Sequence, residues 1–274
     1  MQSNPLITII TPVYNGAEYL DDLIRSVQDQ EYPNIEHIVI DDGSDDNDAT
    51  VGILKKYPHL RWWSRPNKGQ YATMNEGLDA ARGEIVCFLC ADDLMFPGAI
   101  AKAVEAFVSR PDVDAVYGSV LYIDKDGKPY PMMDRRAPLW AYPYFTHISH
   151  ASLYAKKSTL LARGLLFQTD LKYVGDYDWI IRLIKDRLKF VFINAPMSQV
   201  RKHEKQSTAK YHAAMKAELK QVRLEHQIDK SAIAFFSGVD AIWNAASLLV
   251  ALFKTGPRGL VLTVRRWYFK YLRH

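Results

Sequence analysis

Cysteine is scarce in this sequence, and several common signatures are missing from it. The only cysteines among the 274 residues are Cys87 and Cys90, so a disulfide scaffold is excluded and a zinc site, which needs about four ligands, is disfavoured. We interpret both as buried strand residues. Neither GxGxxG nor GxxxxGK[ST] occurs, which removes the usual phosphate cradles of dinucleotide-binding folds and P-loop NTPases. The N-terminus lacks the basic region and cleavage signal of a secretory leader, so we expect a cytoplasmic protein.

What the sequence does contain is typical of a globular protein whose charge is unevenly distributed. Hydrophobic residues make up 48% and charged residues 24%, which suits one large α/β domain or a smaller domain with an appendage. Residues 1–200 hold 21 Lys and Arg against 26 Asp and Glu, whereas residues 201–274 hold 14 against 5. An acidic body therefore precedes a basic tail.

Short apolar segments alternate with amphipathic segments through the first half of the chain. Strands separated by helices of about ten to fifteen residues are typical of βαβ units, so the pattern predicts a mainly parallel, Rossmann-type α/β sheet flanked by helices. Further strand-like pieces follow at Ala115–Tyr117 and Val120–Ile123. The predicted strands are Leu6–Ile10, His37–Ile40, Leu60–Ser64 and Glu84–Leu89, and the predicted helices are Ala17–Gln30, Asp46–Tyr57, Tyr71–Ala81 and Pro97–Val108.

Polar residues follow these strands at the edge where open α/β sheets bind their ligands. Thr11–Asn15 follow the first strand, Asp41–Ser44 the second, Arg65–Gly69 the third and Ala91–Asp93 the fourth. Paired carboxylates at a strand end suit Mg²⁺ or Mn²⁺ held together with substrate phosphates. Taken alone, a helix-capping Asp with a solvated neighbour explains the pair more simply.

The order and spacing of several motifs identify a family resemblance. The chain resembles the nucleotide-sugar-binding half of the GT-A-fold family 2 glycosyltransferases in TPVYNG, VIDDGSDD and NKGQYATMNEGLDAARGEIVCFLCADDLMFPGAI. The likeness continues in HISHASLYAKKSTL, YVGDYDWIIRLI and VRKHEKQS and implies a GT-A catalytic domain over residues 1–208. It also implies an inverting transferase of polysaccharide biosynthesis that uses a nucleoside-diphosphate sugar, most readily a UDP-sugar, a Mn²⁺ or Mg²⁺ ion, and a glycan or lipid-linked acceptor.

The resemblance assigns a nucleotide pocket to the residues after the first three strands and to Asp92. Asp42 is similar to the acid that accepts a hydrogen bond from the base, with a turn residue before Gly43 as the alternative. Lys68 or Arg65 would face the base or the phosphates, and each is also consistent with a solvated surface charge. The assigned nucleotide-binding residues are Thr11, Pro12, Tyr14, Asp42, Arg65, Lys68 and Asp92.

The metal-binding acid of the family's DxD-type motif maps to Asp92, with Asp93 beside it. His203 resembles a late histidine that approaches the metal or the diphosphate, and Arg201 beside it would stabilise the departing phosphate. The first acid of the motif is replaced by Cys90. That replacement removes an acid that usually contacts the sugar or ribose and keeps the metal-binding position.

Transfer with inversion needs one carboxylate that removes a proton from the acceptor hydroxyl. The family usually has a Glu-Asp pair at a helix start, and here that pair reads Gly175-Asp176. We assign Asp176 as the base, with Asp178 as the second candidate and a helix N-cap as the structural alternative. His147 and His150 precede a predicted strand and would line the acceptor pocket or serve the fold.

Residues 209–274 are predicted to form a helical extension that attaches peripherally to the cytoplasmic face of a membrane. Ser231–Lys254 is long and apolar, but Asp240 lies on a polar stripe along it, so a helix in the membrane plane costs less than a spanning one. Gly259–Arg273 combines Trp and Tyr with Arg and Lys, which suits anionic headgroups better than nucleic acid. A core-packing or dimerising helix pair is the alternative.

Two other functions compete with an inverting transferase. A non-catalytic, membrane-associated scaffold that binds nucleotide with the same fold would explain Cys90 and Gly175. A nucleotidyltransferase also has an α/β nucleotide domain, but the Gly-rich, basic N-terminal loop expected of one is missing here.

Overall fold

A computed structural model describes residues 4–130, 137–204, 206, 211–229, 231–233 and 235. Strands and helices alternate strictly up to residue 88, and their order is less regular after it. The strands are β1 (Ile7–Val13), β2 (Ile35–Asp41), β3 (Arg61–Ser64), β4 (Ile85–Phe88), β5 (Leu94–Met95), β6 (Ala115–Asp124), β7 (Pro129–Tyr130), β8 (Leu153–Lys156) and β9 (Phe190–Lys202). The helices are α1 (Leu20–Gln28), α2 (Ala49–Leu54), α3 (Gln70–Ala80), α4 (Ala99–Ser109), α5 (Tyr142–Phe145), α6 (Lys157–Ala162), α7 (Gly175–Lys185) and α8 (His212–Glu225).

The strands form one sheet in the order β3-β2-β1-β4-β8-β6-β9-β5, with β7 paired to β6. The neighbours β3, β2, β1 and β4 are all parallel, as the alternating pattern predicts. Beyond β4 the sheet is mixed, because β8 runs antiparallel to both β4 and β6 while β9 runs parallel to β6. The expectation of a mainly parallel sheet therefore holds for the first four strands and is wrong for the second half.

The two strand-like pieces after residue 114 form a single strand, β6, and not two. Its pairing with β9 shifts register around Gly118, Ser119 and Val120. A bulge of this kind bends a strand without ending it, so the polar interruption in the sequence does not mark a turn.

Buried residues from both faces of the sheet make two core layers. Successive side chains of a strand point to opposite faces, and accordingly Ile9 packs in one layer with Leu23 of α1 while Ile10 packs in the other with Met74 of α3 and Trp179 of α7. The ring of Trp179 on α7 packs against that of Phe88 on β4, with their centroids 5.5 Å apart. The start of α7 thereby lies beside the carboxyl end of β4.

β9 ends at the same edge and is fastened there by Arg201. The backbone N–H of Arg201 donates to Asp93 Oδ1 at 3.1 Å, Nε donates to the backbone oxygen of Asp92 at 3.1 Å, and Nη2 contacts Asp22 Oδ2 at 3.3 Å. The residue is buried. This corrects the expectation that Arg201 faces a departing phosphate, because its guanidinium is bound inside the protein.

The first helix after residue 208 packs on the body. Val222 of α8 is fully buried within the same core layer as Trp179. Residues 231–233 and 235 are helical, and the rest of the predicted membrane-associating helices, 236–274, lies outside the described residues. Within the part of the chain that the structure describes, no helix combines the length and the hydropathy of a membrane span.

Candidate active site

The loop after β3, residues 65–69, donates several hydrogen bonds to the Asp42 carboxylate. This carboxylate accepts the backbone N–H groups of Lys68 at 2.8 Å and Gly69 at 2.9 Å, and it pairs with Nη1 of Arg65. Asp41 forms the turn itself, accepting the N–H of Ser44 at 3.2 Å. A carboxylate has about four acceptor positions, so Asp42 keeps room for one further donor.

Arg65 and Lys68 differ in what they can reach. Arg65 is 12% exposed in its side chain and also binds Glu76 Oε2 at 2.8 Å and Thr73 Oγ1 at 2.8 Å. The Lys68 side chain is 60% exposed, with its nearest acid, Glu76, at 3.8 Å. Of the two cations, Lys68 is therefore the one positioned to meet a ligand.

The residues after β1 have similarly different positions. Thr11 is fully buried and its hydroxyl lies 3.1 Å from Nε2 of His37, and Pro12 is buried as well. Tyr14 is half exposed and donates to Asp45 Oδ1 at 3.2 Å. The Tyr14 side chain is thus accessible to a ligand at this edge of the sheet. Thr11 and Pro12 are buried in the strand that leads to it.

The acids after β4 form a compact cluster with Cys90. One ligand atom from each of Cys90, Asp92 and Asp93 lies within 4.8 Å of the others. His203 Nε2 lies 3.0 Å from Asp92 Oδ2, and Gln206 donates to the same oxygen at 3.2 Å. Of the predicted metal residues, Asp92 and Asp93 thus lie in one cluster with Cys90, and His203 reaches that cluster through Asp92. A short strand, β5, separates the acids from α4, so neither acid caps that helix.

The ionisation of this pair indicates a site for a cation. Burial, together with the charge of Asp92, raises the pKa of Asp93 to about 8. Burial also opposes ionisation of Asp92, but hydrogen bonds from His203 and Gln206 outweigh it and lower the pKa of that carboxyl. A buried carboxylate, Asp93, and a partly exposed one, Asp92, with an imidazole beside Asp92 are a donor set that fits a divalent ion, because the ion offsets the repulsion between the acids.

Cys90 lies beyond the end of β4 and contacts the site. Its sulfur is 3.4 Å from Nε2 of Gln70 and 3.4 Å from Nε2 of His150, and burial raises the pKa of the thiol to about 11. Cys87 is buried within β4, and both thiols are free. The expectation of two buried strand residues is therefore correct for Cys87 and wrong for Cys90.

Asp176 lies in the first turn of α7, whose N-cap position is Val174. Asp176 Oδ2 is 3.2 Å from Nδ1 of His150, and Oδ1 accepts the backbone N–H of Tyr177 at 2.9 Å. Burial would raise the pKa of Asp176, but the hydrogen bond and charge of His150 more than compensate, so the pKa is below its ordinary value. The carboxylate is therefore ionised at neutral pH and is not the N-cap of the helix.

The Tyr71 ring leaves no space for a side chain at position 175. A Cβ at position 175 would lie 2.6 Å from the Tyr71 ring, and Tyr71 is buried. The Glu that usually stands in the family's pair has no room here unless Tyr71 moves. The glycine is thus explained by packing.

Asp178 is a structural residue. Its carboxylate accepts Nε of Arg182 at 2.8 Å and lies 2.7 Å from Nε2 of His226, and its side chain is 1% exposed. Burial opposes ionisation, but His226 and Arg182 lower the pKa below the ordinary value. These contacts correct the assignment of Asp178 as the second candidate base.

Glu218 on α8 holds the segment that leads into α7. Its carboxylate accepts the backbone N–H groups of Lys172 at 2.7 Å, Tyr173 at 2.7 Å and Val174 at 2.9 Å. Sequence reasoning missed this residue because it lies outside every motif and gives no local signal. Gln70 and Gln206, also missed, lie inside the quoted motifs NKGQ and VRKHEKQS.

Asn75 and His147 serve the fold. Asn75 exchanges hydrogen bonds with the backbone of Phe167 at 2.8 and 2.9 Å, and the ring of His147 packs 5.8 Å from that of Tyr142. Arg82 is exposed and lies 3.9 Å from Glu36.

Residues 8–167, more than half of the chain, match the family model for Glycosyl transferase family 2. The chain belongs to this family. The family 2 match covers the strand-end acids, Cys90 and His150, and it ends before Asp176 and His203.

Similar proteins are named as glycosyltransferases. The chain is 28% identical over 215 residues to an uncharacterized glycosyltransferase of Rickettsia typhi, covering 75% of this chain and 66% of that protein. It is 31% identical over 191 residues to one of Mycobacterium tuberculosis, covering 66% and 70%. Some relatives are much longer, since the match with a Rickettsia felis glycosyltransferase covers 45% of this chain and 21% of that one.

Two solved structures share the fold. Residues 1–349 of S. aureus TarS in complex with UDP-GlcNAc superpose with a TM-score of 0.66 at 20% identity, covering 84% of this chain and 69% of that one. The mannosyltransferase PcManGT from Pyrobaculum calidifontis, in complex with GDP-Man and Mn²⁺, gives 0.59 at 19% identity, covering 98% and 76%. The fold is thus the mixed α/β fold of these glycosyltransferases, as the family resemblance implies.

Proposed function

We propose that this family 2 chain is an inverting glycosyltransferase that moves a sugar from a nucleoside diphosphate to a glycan or lipid-linked acceptor in polysaccharide biosynthesis. One observation carries the proposal: an ionised carboxylate, Asp176, is joined through His150 and Cys90 to the acid pair Asp92 and Asp93. A base and a diphosphate-neutralising site are the two parts that such a transfer requires. The sugar nucleotides bound by TarS and PcManGT support the donor class.

Asp176 is the base of the proposed reaction. The acceptor hydroxyl oxygen attacks the anomeric carbon while Asp176 takes the hydroxyl proton, and the bond from that carbon to the diphosphate oxygen breaks on the opposite face. The electron pair of that bond leaves with the diphosphate. Because attack and departure occur on opposite faces, the anomeric configuration inverts.

The acid pair serves the leaving group. Asp92, Asp93 and His203 would hold a divalent ion, which supplies Lewis-acid neutralisation of the diphosphate charge. Carboxylates combined with an imidazole suit Mn²⁺ better than Mg²⁺, which favours oxygen donors. Lys68, whose side chain is exposed at the same edge, would add a positive charge beside the bound nucleotide. The expected nucleotide is UDP.

A donor screen tests this function. The purified chain is incubated with UDP-, GDP- and dTDP-sugars, Mn²⁺ or Mg²⁺ and a panel of glycan and lipid-linked acceptors, and released nucleoside diphosphate and product are measured. We expect turnover of at least one donor and a product whose anomeric configuration is inverted by NMR. Calorimetric binding of donors without turnover on any acceptor would favour a non-catalytic scaffold, and a retained configuration would contradict the mechanism.

We also propose that the basic region after α8 attaches the chain to the cytoplasmic face of a membrane. The support is its composition, in which Trp and Tyr alternate with Arg and Lys over 259–273. Flotation with anionic liposomes, compared between the full chain and a chain ending at residue 230, tests it. Equal flotation would contradict attachment through this region and favour a packing role for it.

A further inference from the structure

His150 occupies a position between the two halves of the site. It begins a short 3-10 turn, His150–Ser152, that leads into β8, and β8 pairs with β4 so that Tyr154 lies opposite Cys87. This register brings the turn beside the residues that follow β4. The ring is 12% exposed and therefore held inside the protein.

The turn that carries the ring is itself fixed. Ser149 accepts the backbone N–H of Ala151 at 3.3 Å, and the Ser152 hydroxyl donates to the Ser149 backbone oxygen at 3.0 Å. A side chain on such a turn has little freedom to follow a moving partner. His150 can therefore act as a fixed point for a neighbouring group.

Both ring nitrogens of His150 have partners, and although burial opposes protonation, the contacts with Cys90 and Asp176 raise the pKa of the imidazole well above its ordinary value. A carboxylate only accepts hydrogen bonds, so Nδ1 carries the proton that lies between His150 and Asp176 at 3.2 Å. The other nitrogen, Nε2, faces the Cys90 sulfur at 3.4 Å, and that sulfur also meets Gln70 at 3.4 Å.

We infer that His150 is a positioning residue for Asp176: its Nδ1–H holds one carboxylate oxygen so that the other faces the acceptor hydroxyl. The inference rests on the proposed function, in which Asp176 is the base. Asp176 is 35% exposed, and its Oδ1 also accepts the backbone N–H of Tyr177, so loss of the His150 bond would leave the carboxylate held through Oδ1 and free Oδ2 to meet water. A base held at a fixed angle raises the rate of proton removal without changing donor binding.

Cys90 completes the arrangement. A thiol is a weak hydrogen-bonding partner, so the strong bond of the imidazole goes to Asp176. An Asp at position 90, as in the commoner family pattern, would offer a second carboxylate to the same ring and compete with Asp176 for it. The Cys at this position is thus matched to the use of His150.

Four single variants and one double variant test the inference in the full chain. His150→Leu removes the donor, and His150→Asn places an amide N–H near the position of Nδ1. We expect His150→Leu to lower kcat about 10- to 100-fold, the usual effect of losing an orienting partner, with donor KM changed less than about twofold. His150→Asn should recover most of the lost kcat. His59→Leu, at an exposed histidine, is the matched control and should leave kcat unchanged.

The double variant His150→Leu/Asp176→Asn distinguishes action through Asp176 from an independent effect. If His150 works through Asp176, the double variant is no slower than Asp176→Asn alone. Multiplied losses, an unchanged kcat in His150→Leu, or equal losses in His150→Leu and His150→Asn would each overturn the inference. Failure of the proposed function gives a different result, because the unmodified chain would then transfer no sugar or Asp176→Asn would transfer at its full rate.

Discussion

The end of β4 and the start of α7 each carry two carboxylates, and the two regions hold them in opposite ways. Asp92 and Asp93 face a common space, where the charge of one contributes to the raised pKa of the other. Asp176 and Asp178 lie two positions apart on a helix, which places their side chains about 200° apart around the helix axis. Asp176 faces His150 while Asp178 faces Arg182 and His226.

The difference shows that the local backbone conformation determines whether neighbouring acids act together or separately. After a strand, consecutive acids can turn to one side and act together on a cation. On a helix, acids two positions apart face opposite sides. One can therefore face the site while the other is buried and forms ion pairs within the protein.

The largest effect is expected for Asp176→Asn. The amide cannot take the acceptor proton, so kcat should fall about 10²- to 10⁴-fold, while the thermal midpoint changes little. Kinetics with a turned-over donor and a thermal melt of the same preparation measure both quantities. A variant with normal kcat would show that the base lies elsewhere.

Asp178→Asn should show the opposite behaviour. Removing the charge of a carboxylate that is buried between Arg182 and His226 leaves the Arg182 guanidinium without its partner charge, which costs about 3 kcal/mol of unfolding free energy. Urea denaturation measures the loss. The activity per folded molecule should be largely kept, and a kcat as low as that of Asp176→Asn in folded protein would contradict the division between the two acids.

Divalent metal should stabilise the chain through the β4 pair alone. Saturating Mn²⁺, at about one hundred times its Kd, should raise the unfolding free energy by about 2.7 kcal/mol. Asp92→Asn and Asp93→Asn should both lose this gain, and Asp178→Asn should keep it. A thermal shift titration provides the readout; equal stabilisation of all variants would mean that the ion binds outside this pair.

Gly175→Ala tests the packing at the start of α7. Its Cβ would overlap the Tyr71 ring, and overpacking of this kind costs about 2 kcal/mol. A second substitution, Tyr71→Leu, should relieve part of the cost in the double variant. If Gly175→Ala is as stable as the unmodified chain, the ring moves freely and the absence of the family's Glu needs another reason.

The smallest effect is expected for Glu218→Gln. The amide oxygen still accepts hydrogen bonds from the backbone of 172–174 but has lost the negative charge, so stability should fall by about 1 kcal/mol. Denaturant unfolding measures the change. Glu225→Gln, at an exposed position of the same helix, is the control; an equal loss there would indicate a general effect of charge on α8.

Sequence patterns predicted the first half of the fold well because its signals are local. The alternation of apolar strands with amphipathic helices is complete within short windows, and β1 to β4 pair as the alternation implies. The second half was less predictable. Whether β8 enters the sheet parallel or antiparallel depends on which strands are free to pair with it, and no short window of sequence contains that information.

The candidate site shows the same division between local and distant information. Motif spacing located Asp92, Asp93, His203 and Asp176 without reference to their surroundings. It did not distinguish Arg65 from Lys68, because both are cations in one loop and only the position of Asp42 separates a buried pair from an exposed charge. Glu218 acts from a helix after the last motif, so its role could be found only in three dimensions.

The sequence by itself determined the family, the parallel strands and the edge at which the acids collect, because periodicity and motif order are properties of neighbouring residues. The tertiary structure alone decided that Cys90 and His150 join the two groups of acids, and that Asp176 is exposed to chemistry while Asp178 is buried. Those outcomes depend on contacts between residues as far apart as Cys90 and His150 or Asp178 and His226. Such contacts exist only once the chain has packed.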